Sequence, residues 1–127
     1  MSIAFVYPGQ GAQRPGMGRS LFETSPEARA SFALASETLG RDMAALCFEA
    51  DETELNRTEN AQPALFTVSM AAHRALAAAG VFPAIVAGFS LGECAALCAA
   101  GRLSWADGLR LVAARARAMQ AAAASVP

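Results

Sequence analysis

The sequence predicts an α/β fold with parallel strands, and three observations lead to this prediction. Residues 3–7 and 84–87 are short apolar runs with β-prone side chains, each followed by a glycine-containing turn. Longer stretches between and after them carry apolar residues at helical spacing. The second run leads through Gly-Phe-Ser-Leu-Gly at residues 88–92 into an alanine-rich stretch typical of a helix. Strands that alternate with helices in this way indicate a layered α/β core.

The composition indicates a compact domain and argues against several classes of function. At 127 residues the chain has the length of one domain, and its 54% hydrophobic content and mean hydropathy of +0.31 favour a packed core. A net charge of −1 provides no basic surface for nucleic acid. No apolar run is long enough to span a bilayer, and the N-terminus lacks a signal-peptide pattern. We therefore expect a cytoplasmic protein that binds neither nucleic acid nor membrane.

Three cysteines, Cys47, Cys94 and Cys98, lie in apolar or helical surroundings. An odd number without metal-ligand spacing favours reduced, buried thiols over disulfide bonds. Cys94 and Cys98 are four residues apart on one helix face, but no third or fourth ligand lies nearby in the sequence. We therefore expect no metal site.

The first predicted strand, residues 3–7, is ended by Pro8 and Gly9, and its continuous apolar character predicts a buried strand of the parallel type. The loop that follows, residues 8–18, contains four glycines. Such a loop could cradle a phosphate, but the GxxxxGK[ST] pattern is absent and the chain has no lysine. Loops at the carboxyl ends of strands hold the binding groups of many α/β proteins. Binding and purely structural roles both remain open for this loop.

Three helices are predicted between the two strands, over residues 26–39, 42–50 and 62–79. Ser25 is a suitable N-cap for the first helix, and Gly40 is a suitable stop. The third opens at Gln62–Pro63, because proline is favoured in the first turn of a helix. Five acidic residues within 49–59 indicate a solvated connection. The only histidine, His73, lies beside the apolar stripe of the third helix and is interpreted as a boundary residue.

Two more helices are predicted after the second strand, over residues 91–100 and from residue 105 onward. Ser104 with Asp107 resembles a capping box at the start of the last helix. Arg110, Arg115 and Arg117 form the polar part of that helix, and the pattern alone describes them as solvated charges.

Ser90 is the candidate nucleophile, because it lies in a Gly-x-Ser-x-Gly turn between a strand and a helix. In a nucleophile elbow the serine hydroxyl projects from such a sharp turn, and flanking glycines avoid steric overlap. The first backbone N–H groups of the following helix lack intrahelical partners and can stabilise an oxyanion. The alternative is a tight strand–helix turn without chemistry.

The groups that could activate this serine are few. All ten basic residues are arginines, and there is one histidine. A Ser–Lys arrangement is therefore excluded.

The two predicted strands form a small sheet for so many helices, and the chain ends without an obvious closing element. We therefore expect that the chain is part of a larger domain.

Four motifs occur in fixed order: PGQGAQ at residues 8–13, QPAL at 62–65, GFSLGECAAL at 88–97 and LVAARARAMQ at 111–120. Together they resemble the malonyl-CoA:acyl-carrier-protein transacylases and the related acyltransferase domains of polyketide synthases. The resemblance implies that residues 1–127 are the N-terminal part of an α/β-hydrolase-like core. The ferredoxin-like subdomain and the remaining core of that family would be absent from this chain.

The resemblance also implies roles for individual residues. Ser90 would be the nucleophile, with Gln10 and the backbone N–H of Leu91 forming the oxyanion hole. Arg115 would pair with the malonyl carboxylate, since a guanidinium fork binds a carboxylate through two parallel hydrogen bonds. Gln62 would lie near the same pocket. Phe89 stands where the family usually has histidine, and it would form part of the pocket wall.

The implied reaction moves a malonyl or related acyl group from coenzyme A to the thiol of an acyl carrier protein, through an acyl-serine, in fatty acid or polyketide biosynthesis. It needs no cofactor besides the coenzyme A thioester that serves as substrate. The family's general base is a histidine from its second half, so we expect this chain to be nearly inactive alone. The missing half would be on the same chain, on another chain or in a multidomain synthase. Two other functions remain open: a serine acyl hydrolase acting on acyl carriers, and a non-catalytic assembly module.

Overall fold

The computed structural model describes residues 2–126, so the predicted domain, residues 1–127, extends one residue beyond it at each end. The elements in this range are β1 (Ala4–Tyr7), α1 (Arg19–Thr24), α2 (Pro26–Leu39), α3 (Met43–Glu49), α4 (Glu52–Leu55), α5 (Thr58–Ala78), β2 (Ile85–Gly88), α6 (Gly92–Ala99) and α7 (Trp105–Ser125). No helix within residues 2–126 combines the length and the hydrophobicity needed to cross a membrane.

The two strands pair in parallel, with Ala4 opposite Ile85 and Tyr7 opposite Gly88. Helices α1 to α5 form the connection between them. Parallel neighbours require such a crossover, because the chain must return to the same end of the sheet. This arrangement confirms the predicted α/β class with parallel strands. It also places the loop after β1 and the turn after β2 at the same edge of the sheet.

Side-chain caps set several helix boundaries where the sequence predicts them. The Ser25 hydroxyl accepts a hydrogen bond from the Ala28 N–H at 3.1 Å, and the Ser104 hydroxyl accepts one from the Asp107 N–H at 3.0 Å. Gly40 ends α2 with φ of +66°, a left-handed conformation that glycine adopts without steric cost. These boundaries depend on local chemistry, which is why the sequence predicts them well.

The acidic segment and the start of α5 differ from the prediction. Instead of a solvated connection, the segment contains α4, which Asp51 caps by accepting from the Glu54 N–H at 2.8 Å. Leu55, at the end of α4, is fully buried and anchors the segment in the core. Helix α5 begins at Thr58 rather than at Gln62, so Pro63 lies inside it. The proline motif is typical of a first turn, but here the helix extends one turn further back.

The core lies between α5 and the helices around it, mainly α2 and α7. Residues 60–67 of α5 are all buried, so this half of the helix has no solvent-facing side. Leu76, near the C-terminal end of the same helix, is exposed although it is apolar. Met119 on α7 is likewise exposed, although Leu109 and Val112 on the same helix are fully buried.

The predicted burial of the first strand is wrong for one of its two faces. Tyr7 is buried, but Val6 is 74% exposed, and Ile85 on β2 is 66% exposed. Successive strand residues point to opposite faces of a sheet, and the helices of residues 2–126 cover only the face that carries Tyr7. An apolar sequence shows that a strand can be buried, but not which of its faces a neighbouring element covers.

Candidate active site

The turn between β2 and α6 holds Ser90 in an unusual backbone conformation. Ser90 has φ of +53°, and within the described part of the chain it is the only residue other than glycine with a positive φ. A side chain in this region costs about 1–2 kcal/mol relative to a right-handed conformation. Such strain persists where the surrounding structure imposes it, and it is found at functional sites. Ser90 is exposed to solvent at this turn.

The glycines around the turn are required by close backbone contacts. A methyl group on Gly88 would overlap the carbonyl group of Gly92, and one on Gly92 would overlap the carbonyl group of Tyr7. At Gly9, a methyl carbon would lie 2.6 Å from the Phe89 carbonyl oxygen. The loop after β1 therefore packs directly against the residue that precedes Ser90. Glycines at these positions therefore avoid steric overlap, as expected for a nucleophile elbow.

Arg115 from α7 contacts the serine. Its Nη2 donates a hydrogen bond to Ser90 Oγ at 3.0 Å, and its Nη1 donates to Gln62 Oε1 at 2.7 Å. Arg115 is half-buried, and Gln62 is fully buried. A buried amide that accepts from the guanidinium restricts its rotation. The fold thus brings together three predicted site residues from three different elements.

Gln62 also connects the site to the loop after β1. Its Nε2 donates to Gln10 Oε1 at 3.4 Å and lies 3.2 Å from the sulfur of Met119. The other end of the Gln10 amide, Nε2, donates to Thr58 Oγ1 at 3.0 Å. A hydrogen-bonded chain of side chains therefore runs from Ser90 through Arg115, Gln62 and Gln10 to Thr58.

The backbone N–H groups of Gln10, Ser90 and Leu91 have no hydrogen-bond acceptor among residues 2–126. In contrast, the N–H of Gly92 donates to the Phe89 carbonyl at 2.9 Å, and that of Glu93 donates to the Ser90 carbonyl at 3.0 Å. The first N–H groups of a helix lack intrahelical acceptors and can bind an anion. Gln10 and the Leu91 N–H are the groups that the family resemblance assigns to the oxyanion hole, and this assignment stays a prediction.

Phe89 lies at the edge of this site and is 73% exposed. Its backbone N–H donates to the Tyr7 carbonyl at 3.1 Å, and its ring lies against Gly9. Among the described residues it flanks the serine without enclosing it. Its role as a pocket wall therefore stays a prediction.

His73 is engaged away from the serine, among aromatic side chains. Its Nδ1 lies 2.8 Å from the Tyr7 hydroxyl, and its ring packs edge-on against Phe5 and near Trp105. Burial lowers its pKa, so the neutral imidazole is favoured in this environment. The half-buried position agrees with its interpretation as a boundary residue.

We predict that His73 makes the fold less stable in mild acid. Because its folded pKa lies below the unfolded value of about 6.5, the unfolded chain binds the proton more tightly. The contribution of His73 to the stability of the fold is complete above that pH and is lost as the pH falls through the lowered pKa. Melting temperatures measured between about pH 7.5 and pH 5.5 test this. The melting temperature of the wild type should fall more than that of His73→Gln over this interval. Equal decreases would contradict the prediction.

The cysteines take no part in the hydrogen-bonded chain at Ser90. All three are free and buried, and burial raises the pKa of Cys47 to about 12 and that of Cys98 to about 11. The pKa of Cys94 is also raised by burial, which the nearby Arg115 partly offsets. Thiols with such pKa values are protonated near neutral pH and react slowly. Nowhere in residues 2–126 do three or more His, Cys, Asp or Glu side chains converge as metal ligands would.

Comparison with protein families matches residues 4–126 to the acyl transferase domain. The chain belongs to this family. The malonyl CoA-acyl carrier protein transacylase of Bacillus subtilis (strain 168) is 47% identical over 120 residues, which cover 94% of this chain and 38% of that relative. The corresponding protein of Escherichia coli (strain K12) is 45% identical over 121 residues, covering 94% and 39%. The polyketide biosynthesis protein ThaF of Burkholderia thailandensis is 49% identical over 121 residues, covering 94% and 10%.

Solved structures of this acyl transferase family agree with the fold. The complex PlMCAT:AntF, a type II PKS acyl-carrier protein with its malonyl-transacylase, matches with a TM-score of 0.92 and 41% identity, over 100% of this chain and 40% of that one. An acyl carrier protein S-malonyltransferase from Vibrio cholerae gives the same TM-score and identity, over 100% and 41%. The resemblance found in the sequence motifs is confirmed. The chain spans less than two fifths of the length of each of the three relatives named above.

Thr58 contributes to the hydrogen-bonded chain but is not predicted from the sequence. Its spacing to Gln62 is the observation that could have found it, since residues four apart share one face of a helix. The spacing is informative only if Thr58 is known to lie in α5. The Gln62–Pro63 motif instead predicts that this helix begins after Thr58.

Proposed function

We propose that the protein containing this chain transfers a malonyl group from coenzyme A to the thiol of an acyl carrier protein, for fatty acid or polyketide biosynthesis in the cytoplasm. The observation that carries the proposal is the hydrogen bond between Arg115 Nη2 and Ser90 Oγ at 3.0 Å. It places a permanent positive charge beside the candidate nucleophile. A short acyl group that ends in a carboxylate is complementary to this pair.

In the first half-reaction, the Ser90 oxygen attacks the thioester carbonyl carbon of malonyl-CoA. A C–O bond forms, the C–S bond breaks, and the serine proton passes through a general base to the departing thiolate of coenzyme A. The carbonyl oxygen becomes an oxyanion in the tetrahedral intermediate. The free N–H groups of Gln10 and Leu91 are the donors we assign to it. The second half-reaction reverses these steps, with the carrier thiol as attacking group.

Arg115 would recognise the free carboxylate of the malonyl group through two parallel hydrogen bonds. Gln62 Oε1 accepts from Nη1 at 2.7 Å, which fixes the plane of the guanidinium before the substrate arrives. A binding group that is already oriented loses less entropy on binding. The same hydrogen bond would also keep the guanidinium beside Ser90 when the bound acyl group has no carboxylate.

The general base is the part of this mechanism that the described residues do not provide. His73, the single histidine of the chain, is bonded to the Tyr7 hydroxyl, and the chain has no lysine. We propose that the base is supplied by a region equivalent to the part of the relatives that this chain does not match. That region would be on the same polypeptide or on another. A serine without its base is a weak nucleophile, so residues 1–127 alone should react slowly with malonyl-CoA.

A serine acyl hydrolase is the second candidate, favoured by the exposure of Ser90 to solvent. Water could then take the acyl group from the serine in place of a carrier thiol. Arg115 argues against simple apolar esters as substrates, because its charge would face an apolar acyl chain.

Transfer and hydrolysis are distinguished by the fate of the malonyl group. We expect the complete protein, given malonyl-CoA and a holo acyl carrier protein, to increase the mass of the carrier by one malonyl group. Without carrier, free malonate should form much more slowly. The measurement is intact-mass analysis of the carrier together with quantification of malonate. Malonate release without carrier that is as fast as carrier malonylation would contradict the transferase proposal.

A further inference from the structure

We propose that Thr58 and Asn56, at the junction of α4 and α5, are positioning residues for the glutamine loop, defined as residues 10–13. They would hold this loop so that the Gln10 N–H stays beside Ser90. The inference rests on the proposed function, because it concerns the donor that we assign to the oxyanion.

The glutamine loop has almost no main-chain anchoring of its own. Its one backbone hydrogen bond joins the Ala12 N–H to the Gly9 carbonyl at 3.3 Å, within the same turn. No backbone hydrogen bond ties residues 10–13 to another helix or strand in the range that the structure describes. Gly11, with φ of +116°, adopts a conformation that side chains disfavour. The position of this loop must therefore be set by its side chains.

Two side-chain hydrogen bonds attach the loop to the α4–α5 junction. Gln10 Nε2 donates to Thr58 Oγ1 at 3.0 Å, and Gln13 Nε2 donates to Asn56 Oδ1 at 2.9 Å. The opposite end of the Gln13 amide accepts from the Gly11 N–H at 2.8 Å. Because both ends of this amide are bonded, its contact with Asn56 also fixes the backbone at Gly11.

The junction is itself held in the core, so it is a suitable anchor. Asn60 is buried; its Nδ2 donates to the Glu54 carbonyl at 2.8 Å, and its Oδ1 accepts from Arg41 Nη2 at 2.8 Å. These bonds connect α4, α5 and the turn before α3. The hydroxyl of Thr58 and the amide of Asn56 therefore belong to a fixed part of the fold.

Gly9, the residue immediately before the glutamine loop, packs against the Phe89 carbonyl in the serine turn. Gln10 lies between the two anchors, and its N–H has no acceptor among residues 2–126. A donor for an oxyanion acts in the transition state, so loss of its position lowers kcat more than it changes KM. Thr58 and Asn56 touch neither substrate nor Ser90, and they would act through Gln10.

Hydrogen exchange of the complete protein tests whether the junction holds the loop. We expect Thr58→Val and Asn56→Ala to increase exchange in the peptide that covers residues 8–18, chiefly at Gly11. Thr58→Ser, which keeps the hydroxyl, should retain wild-type exchange. Thr53→Val is the matched control, because Thr53 is exposed on the neighbouring helix and forms no side-chain hydrogen bond among the described residues. Unchanged exchange in both Thr58→Val and Asn56→Ala would overturn the proposal, whatever the activity.

Steady-state kinetics of malonyl transfer test the catalytic consequence. We expect kcat to fall about fivefold in Thr58→Val and in Asn56→Ala, the effect of one exposed hydrogen bond, with KM unchanged and with rescue in Thr58→Ser. Faster loop exchange with an unchanged kcat would also overturn the proposal. A wild-type protein that transfers no malonyl would instead refute the proposed function, and the exchange experiment would still decide whether the loop is held.

Discussion

Replacing Ser90 with alanine is expected to lower malonyl transfer by about a million-fold, the loss seen when a serine nucleophile is removed from a serine protease. In the proposed mechanism Ser90 Oγ forms the covalent bond to the acyl group, and no other nucleophile replaces it. The buried thiols are not substitutes, because burial raises the pKa of Cys98 to about 11. The measurement is the initial rate of carrier malonylation.

Two further variants make the Ser90→Ala result specific. Ser90→Gly removes the same oxygen but suits the φ of +53°, so it should remain folded and be equally inactive. Ser20→Ala removes an exposed hydroxyl far along the chain and should retain wild-type activity. Residual transfer of more than a few per cent in either Ser90 variant would mean that another group carries the acyl chain.

Replacing Arg115 with alanine is expected to lower kcat/KM for malonyl-CoA by about a hundredfold, while the value for acetyl-CoA stays the same or rises. The two proposed charge-assisted hydrogen bonds to the carboxylate would contribute roughly 3 kcal/mol together, and each 1.36 kcal/mol is a factor of ten. Acetyl-CoA has no carboxylate, so it cannot lose this interaction. Rates measured with both thioesters give the ratio directly.

Arg115→Lys and Arg110→Ala complete this comparison. Lysine keeps the charge but not the planar fork, so its loss should be intermediate. Arg110 lies on the same helix in an exposed ion pair with Asp107, and its removal should change kcat/KM by less than twofold. An equal decrease for malonyl-CoA and acetyl-CoA in Arg115→Ala would indicate a structural role for the arginine and contradict carboxylate recognition.

The elements that were predicted well are those whose boundaries depend on local chemistry. Ser25 and Gly40 delimit α2 because a hydroxyl cap and a left-handed glycine satisfy its terminal groups within a few residues. Helix α5 begins at Thr58, earlier than the sequence predicts, because Pro63 has the pattern of a first-turn proline. The exposed face of the sheet, with Val6 on it, could not be predicted because it depends on which elements cover the strands.

In the candidate site, too, the sequence predicts the features that depend on neighbouring residues but not those that depend on distant contacts. The conformation of Ser90 follows from its neighbouring glycines, which the sequence shows directly. Helical periodicity alone did not distinguish Arg115 from the surface arginines of α7, because its contacts with Ser90 and Gln62 are 25 and 53 residues away along the chain. Only the resemblance to a family identified it. The sequence does not predict the contact of Thr58, because its partner, Gln10, lies in a loop whose path no local pattern fixes.

The most direct test of the central claim is to locate the malonyl group on the protein itself. The complete protein is mixed briefly with malonyl-CoA in the absence of carrier, quenched in acid, digested and analysed by peptide mass spectrometry. The proposed mechanism predicts one malonyl group, found on Ser90, with its amount much reduced in Arg115→Ala. A malonyl group on Cys94 or on any other residue, or no covalent malonyl at all while the carrier is still malonylated, would contradict it.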